Sequence, residues 1–200
     1  MKRIALLLAI TLALAGTAAA QESETLFSGD ASHGGFGALV YGGTEVNGQF
    51  TYLQGIRGAW VIRFDSGQAL NLGLARYETQ NAFDPAGWEV ADVSRPDMTT
   101  EYRGFEVEYV NRSMKLLHFS VQALIGTGEV EYEEELFPID NSDSYFVLQP
   151  GVNLTVNVTD WFRLSGGVFY RHAGGVNLHG TGNKELSGFT TFAALRFGWF

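Results

Sequence analysis

Residues 145–158 have the sequence Tyr-Phe-Val-Leu-Gln-Pro-Gly-Val-Asn-Leu-Thr-Val-Asn-Val. Every second residue from Phe146 to Val158 is apolar or proline, and most of the residues between them are polar or small. Successive side chains of a β-strand point to opposite faces, so strict alternation is the sequence pattern of a strand. The stretch therefore predicts a long strand with one apolar face and one polar face.

The same alternation recurs along the chain. It is clear in residues 117–126, 162–171 and 189–199, and noisier in 35–44, 50–64, 68–79 and 100–110. No convincing helical period of 3.6 residues is found after residue 33. The pattern predicts an all-β fold of about eight strands, arranged as a closed antiparallel up-and-down transmembrane β-barrel.

The N-terminus has the pattern of an export signal. Lys2 and Arg3 precede an apolar run over residues 4–15, and three alanines end at Ala20. We predict a cleaved signal peptide over 1–20, a flexible lead-in over 21–33 and a barrel domain over 34–200. Cleavage would remove two basic residues and no acidic one, which takes the formal charge from −9 to −11.

Composition excludes several functional classes. Aromatic residues make up 14% of the chain and charged residues only 18%, which argues against disorder. The formal charge of −9 is opposite to that of a nucleic-acid-binding domain. The absence of cysteine excludes disulfides, thiolate metal sites and thiol catalysis. No cofactor or metal is predicted.

The connections between predicted strands alternate in length. Short turns fall at 65–67, 111–114 and 159–160, whereas long loops fall at 80–98, 129–143 and 173–187. Outer-membrane barrels have short periplasmic turns and long outer loops, so both termini are expected in the periplasm. The first outer connection is the exception, because Asn47-Gly48 is a tight hairpin signal.

Aromatic residues cluster beside these connections, where the two membrane interfaces would lie. The predicted girdles contain Phe64, Tyr109, Trp161, Phe197 and Trp199 beside the short turns, and Tyr77, Tyr145 and Tyr170 beside the long loops. Alternation alone does not distinguish a membrane barrel from a soluble one. A secreted soluble β-barrel that binds a small apolar ligand in its interior therefore remains the alternative.

With these features the chain resembles the small OmpA-like and OmpX-like outer-membrane barrels of Gram-negative-type bacteria. The resemblance covers residues 34–200 and includes a final amphipathic strand that ends in Phe200. It implies an outer-membrane location, a monomer, contact with outer-membrane lipids, and recognition of the C-terminal strand by the barrel-assembly machinery. The segments 57–60 and 146–154 also resemble a group of secreted bacterial barrel proteins, which implies no activity.

The final strand departs from the family pattern. Phe200 is out of phase with Phe197 and Trp199, whereas the terminal phenylalanine of such barrels usually faces outward. Either a bulge near Gly198 resets the strand or the assembly signal is non-standard.

The polar phase of the strands supplies the candidate interior residues. We predict a buried network that plugs the lumen, because eight strands enclose little more than side chains and isolated charges there would be prohibitive. Its members are Arg57, Arg63, Glu106, Glu108, His118, Arg163 and Arg196. The alternative is a narrow ion pathway lined by the same groups.

Three further features of the sequence bear on function. Arg76 and Arg103 fall in the lipid-facing phase near a long loop, which predicts contact with lipid headgroups. His172 lies at the outer end of a strand, as in outer-membrane lipid hydrolases, but the serine expected at position 174 is a glycine, so no catalytic residue is predicted. The acidic loop over 129–143 is interpreted as a solvated surface, with a divalent-cation site as the alternative.

Overall fold

The computed structural model describes residues 31–80, 83–85, 96–132 and 141–200. The predicted signal peptide, and the lead-in up to residue 30, lie outside this part of the chain. The described residues contain one short helix, α1 (Asn183–Leu186), and eight strands, which are β1 (Ser32–Val46), β2 (Gln49–Arg63), β3 (Ala69–Thr79), β4 (Met98–Val110), β5 (Leu117–Tyr132), β6 (Ser142–Asn157), β7 (Phe162–Gly174) and β8 (Gly188–Trp199). No helix in these residues is long and apolar enough to cross a membrane.

The eight strands form a closed antiparallel barrel in the order of the sequence. Each strand pairs with the next, and β8 closes the barrel by pairing with β1 from Gly35↔Trp199 to Thr44↔Thr190. The predicted fold class is therefore confirmed. β1 begins at Ser32, two residues before the predicted start of the barrel domain.

The alternating pattern places apolar side chains outside and polar ones inside. Ile56, Leu74 and Val152 on the outer face are 60%, 69% and 57% exposed, whereas Glu108 and Gln149 on the inner face are 0% exposed. A soluble barrel with an apolar lumen would have the opposite arrangement. The outer wall has the apolar surface of a protein surrounded by lipid, which argues against the soluble alternative.

The final strand has no bulge at Gly198. Its register with β1 continues without a break through Phe36↔Gly198 to Gly35↔Trp199. Phe200 therefore stays in the inward phase, where its ring stacks on that of Phe36 with centroids 5.7 Å apart. Of the two explanations for the phase of Phe200, the reset of the strand is wrong.

The two ends of the barrel differ. The short-turn end carries both ends of the described barrel and the three short connections, and the long-loop end carries the remaining connections. At the long-loop end, the β1–β2 hairpin turns at Asn47 and Gly48, with φ angles of 50° and 75°. Positive φ at both central residues is the geometry that favours Asn-Gly in tight hairpins.

The connection between β7 and β8 folds over the long-loop end. We call residues 175–187 the mouth segment. Its Val176, Leu178 and Leu186 are buried in the main hydrophobic cluster of the barrel. Asn47 ties it down, because its backbone N–H donates to the Glu185 carbonyl at 3.0 Å, and its side-chain oxygen accepts from the Thr181 hydroxyl at 3.1 Å.

Candidate functional site in the barrel interior and on the outer wall

Two carboxylates on β4 lie at the centre of the barrel interior. Glu106 and Glu108 are two residues apart, so both point inward, and they are 3% and 0% exposed. Arg57 on β2 donates to Glu106 and, at 3.1 Å, to Glu108. Arg196 on β8 makes a bidentate contact with Glu108 through bonds of 3.0 and 2.9 Å. The ion pairs thus connect strands across the lumen.

Neutral side chains donate hydrogen bonds that replace those the carboxylates lose to water on burial. Glu108 also accepts from Asn71 at 2.9 Å, from Ser120 at 2.6 Å and from Asn153 at 2.9 Å. Gln122 donates to Glu106 at 3.3 Å. We call the whole set the central network; its residues come from six of the eight strands, and they are Arg57, Asn71, Glu106, Glu108, Ser120, Gln122, Asn153 and Arg196.

An aromatic layer lies on the long-loop side of the central network. It consists of Tyr77, Tyr102, Phe169 and Phe192, with ring centroids 5.2 Å apart for Tyr77–Tyr102 and 4.0 Å apart for Phe169–Phe192. Gly55 leaves the space for one ring, because a Cβ there would lie 2.4 Å from Cδ1 of Tyr77. Four aromatic rings therefore pack inside the barrel at this level.

Aromatic rings and two arginines fill the short-turn end. The guanidinium of Arg163 lies 3.9 Å from the ring centroid of Phe200. Arg63 donates to the Phe200 carbonyl and, at 2.8 Å, to the Ser32 hydroxyl. Neither arginine contacts the carboxylates of the central network.

The predicted interior residues therefore fall into two groups. The structure brings Arg57, Glu106, Glu108 and Arg196 into contact, and it leaves Arg63, Arg163 and His118 nearer the short-turn end. Nδ1 of His118 is 3.1 Å from the Lys115 carbonyl, within hydrogen-bond distance. Sequence reasoning did not single out Asn71 and Ser120, although both occupy the polar phase of their strands, which was the available signal.

The predicted girdles need one correction. Tyr109, Trp161, Phe197, Trp199 and Tyr170 are exposed on the outer wall, whereas Phe64 is only partly exposed. Tyr77 and Tyr145 are instead inside the barrel, 0% and 3% exposed. Tyr77 lies on the inward face of β3 with Asn71, and Tyr145 lies on the inward face of β6 with Asn153. The girdle prediction used only their closeness to the strand ends, whereas alternation assigns both residues to the interior.

Arg76 and Arg103 lie opposite each other on the outer wall, as a register pair of β3 and β4. Arg76 has two carboxylate partners, Glu101 and, at 3.6 Å, Glu78. Arg103 forms no ion pair within the described residues. The two arginines line an open groove of about 1080 Å³, whose other lining side chains are mostly apolar and include Ile56, Trp60, Leu72, Leu74, Phe105 and Ile125.

His172 lies on the outward phase of β7, in register with Leu148 of β6. The hydroxyl of Ser187 accepts from the Ala173 backbone at 2.9 Å and donates to the Asn183 carbonyl at 2.6 Å, so it stabilises the connection between β7 and β8.

In the described residues, no three His, Asp or Glu side chains are grouped to hold a metal ion. The acidic loop, for which a divalent-cation site was the alternative, lies partly outside the described part of the chain, because residues 133–140 are not included in it.

Solved structures with the same fold are small outer-membrane barrels. Neisserial surface protein A superposes with a TM-score of 0.55 at 14% identity, over 84% of this chain and 99% of that one. The attachment invasion locus protein Ail of Yersinia pestis gives 0.54 at 13%, over 84% and 98%. The N-terminal barrel domain of Pseudomonas aeruginosa OprF gives 0.50 at 13%, over 85% and 100%.

These likenesses show the fold, which is that of the small eight-stranded outer-membrane β-barrels. No protein-family model matches the chain, and no characterised protein matches it by sequence.

Proposed function

We propose that this chain is an outer-membrane β-barrel whose interior is closed to ions and which holds its long-loop end as a rigid surface outside the cell. The observation that supports this is the central network, in which six strands meet on two buried carboxylates. The aromatic layer lies above it, and Phe36 and Phe200 lie below it. Eight strands leave no space for a channel beside such side chains.

Planar-bilayer recording tests the closed interior against the narrow ion pathway. Purified protein should give no steady single-channel openings, while a known porin in the same bilayer shows that the assay detects them. Steady openings with a reproducible conductance would overturn the closed interior.

The location has its own test. The protein should sediment with the outer-membrane fraction, and unboiled samples should migrate differently from boiled ones in detergent gels, because a closed barrel resists unfolding at room temperature. Recovery in the soluble periplasmic fraction would contradict the proposal.

The long-loop end is acidic, which bears on what it binds. Glu78, Glu101, Glu129 and Glu131 line one polar cleft of about 370 Å³ there. One solved structure of Ail contains the heparin analogue sucrose octasulfate. We propose that this chain differs, because Arg76 pairs with only two of these four carboxylates, and the net negative charge that remains repels a polyanion. It should pass through a heparin column at low ionic strength, and retention there would contradict this part of the proposal.

We also propose that Arg76 and Arg103 bind the phosphate of an outer-leaflet lipid whose acyl chain lies in the groove beside them. Like charges directly opposite each other across two strands are destabilising. Only Arg76 has carboxylate partners, so an anionic headgroup would relieve the repulsion and pair with Arg103. The apolar groove lining suits an acyl chain.

The lipid site is tested by replacing Arg76 and Arg103 with Gln. The double variant should lose the extra thermal stability that the wild type gains in lipopolysaccharide-containing bilayers over a neutral detergent. Lys115→Gln, at the short-turn end, is the control and should keep that gain. An unchanged gain in thermal stability in the double variant would contradict the proposed lipid site.

A further inference from the structure

Arg171 is a fully buried charge on β7 with no carboxylate partner among the described residues. Its Nε donates to the Leu186 carbonyl at 2.7 Å, and its guanidinium carbon lies 5.3 Å from the ring centroid of Tyr102. Neither Nη1 nor Nη2 has a hydrogen-bond partner. Because a guanidinium keeps its charge in proteins, Arg171 places four unpaired N–H donors and a full positive charge in the closed upper lumen.

The side chains that face Arg171 are polar but carry no charge. Gln149 on β6 lies opposite Arg171, because the β6–β7 register is the same at Leu148↔His172 and at Gly151↔Phe169. Gln149 is 0% exposed, and neither atom of its amide group is bonded. The buried hydroxyl of Tyr102 lies within reach of both Arg171 and Gln149 but makes no hydrogen bond of good geometry to either. We call Tyr102, Gln149 and Arg171 the Arg171 cluster.

The acceptors that face Arg171 are neutral, and they include the unbonded side-chain oxygen of Gln149 and the hydroxyl oxygen of Tyr102. The Leu186 carbonyl accepts from Arg171 itself. Thr100 and Tyr145 share a bond of 2.7 Å, and Thr100 donates onward to the Glu129 carbonyl at 2.8 Å. The two buried carboxylates are bonded to Arg57 and Arg196 in the central network. Among the described residues, no negative charge therefore balances Arg171, which is costly in a dry interior.

We propose that the Arg171 cluster binds a small monovalent inorganic anion of the size of chloride. Donors from β4, β6 and β7 would surround it, and the mouth segment covers the site through the buried Leu186. Since Arg171 also holds the Leu186 carbonyl, occupancy stabilises the mouth segment in its closed position. The site goes beyond the proposed function and does not depend on whether the lumen conducts.

The test compares anions at constant ionic strength. Protein refolded into detergent in sodium gluconate, whose anion is too large to enter, is titrated with sodium bromide or chloride while the thermal midpoint is followed. The wild type should gain about 2–4 °C, saturating with halide concentration, as expected for a ligand that binds only the folded state. Crystals soaked in bromide should show an anomalous peak within hydrogen-bond distance of Nη1 or Nη2 of Arg171.

Two variants and one control complete the test. Arg171→Met should abolish the halide response, and Gln149→Leu, which keeps the charge, should weaken it. Arg163→Met, at the short-turn end, removes another arginine of the lumen and should leave the response intact. Equal midpoints in bromide and gluconate would show that water alone fills the site. If wild type and Arg171→Met gain equally from halide, the gain is a general salt effect. If Arg171→Met does not fold, the same comparison is made between wild type and Gln149→Leu. Either result overturns the proposal.

Discussion

Glu108 is the residue on which most of the interior bonds converge. It accepts from two arginines and three neutral side chains. Among the described residues, Glu106 accepts from Arg57 and Gln122 alone. Although they are two positions apart on one strand, the two carboxylates therefore carry different shares of the barrel's stability.

Replacing Glu108 with Gln should lower the free energy of unfolding by about 3–5 kcal/mol, because Arg196 would remain buried without the one carboxylate partner it has in the described part of the chain. Glu106→Gln should cost less, since Arg57 keeps Glu108. Glu101→Gln on the exposed outer wall is the control and should cost about 0–1 kcal/mol. Reversible urea unfolding in lipid vesicles measures all three, and equal losses for Glu106→Gln and Glu108→Gln would contradict the assignment.

Gly55 shows how closely the interior is filled. A Cβ at this position would lie 2.4 Å from Cδ1 of Tyr77 and 2.7 Å from the Arg76 carbonyl oxygen. Gly55→Ala should therefore cost about 1–3 kcal/mol through overpacking. Gly37 on the outer wall has nothing within 4 Å of such a Cβ, so Gly37→Ala is the matched control. The same unfolding assay compares them, and equal losses would mean that the aromatic layer is not tightly packed.

At the scale of elements, the β1–β2 hairpin and the mouth segment act as one unit. Asn47 adopts positive φ for the turn, and its amide also donates to the Asp84 carbonyl at 3.0 Å and accepts from Thr181. The residue that forms the β1–β2 turn therefore also holds the mouth segment over the long-loop end.

Asn47→Ala should loosen the mouth segment without opening the barrel wall. It removes two side-chain hydrogen bonds, each worth about 1 kcal/mol, and strains a backbone that alanine adopts reluctantly. Trypsin should then cleave after Lys184 faster than in the wild type, while Ser66→Ala, in a turn at the opposite end, should leave the rate unchanged. Equal cleavage rates in all three proteins would show that Asn47 does not hold the mouth segment in place.

At the scale of the whole molecule, the barrel is apolar outside and polar inside. This inversion means that the cost of a charge on the outer wall should depend on depth in the bilayer rather than on local exposure. Val152 and Val158 suit the comparison, because they are 57% and 52% exposed, while Val152 lies within β6 and Val158 beyond its end.

Val152→Lys should cost about 2–4 kcal/mol in a bilayer, and Val158→Lys should cost about 0–1 kcal/mol. Reversible unfolding in phospholipid vesicles gives both values. Similar small costs for the two variants would be the behaviour of a barrel surrounded by water, and would argue against a membrane-spanning position.

Much of this architecture is predictable from the sequence, because period two is a local property. The alternation in residues 145–158 assigns every side chain there to one of two faces, and the turn residues limit the strand count. The positions of Glu106 and Glu108 on the inner face follow in the same way. Where position along the strand was used instead of phase, as for Tyr77 and Tyr145, the prediction was wrong.

The contacts across the lumen could not be predicted, because they depend on the tilt and stagger with which the barrel closes. Phase places Arg57, Arg63, Arg163 and Arg196 inside, yet only the closed structure shows that Arg57 and Arg196 reach the two carboxylates. Likewise, only the fold of the mouth segment over the long-loop end leaves Arg171 buried and unpaired. Where alternation is clear, it predicts which face a strand residue occupies. Which residues meet is visible only in the closed barrel, because partners across a barrel come from strands far apart in the chain.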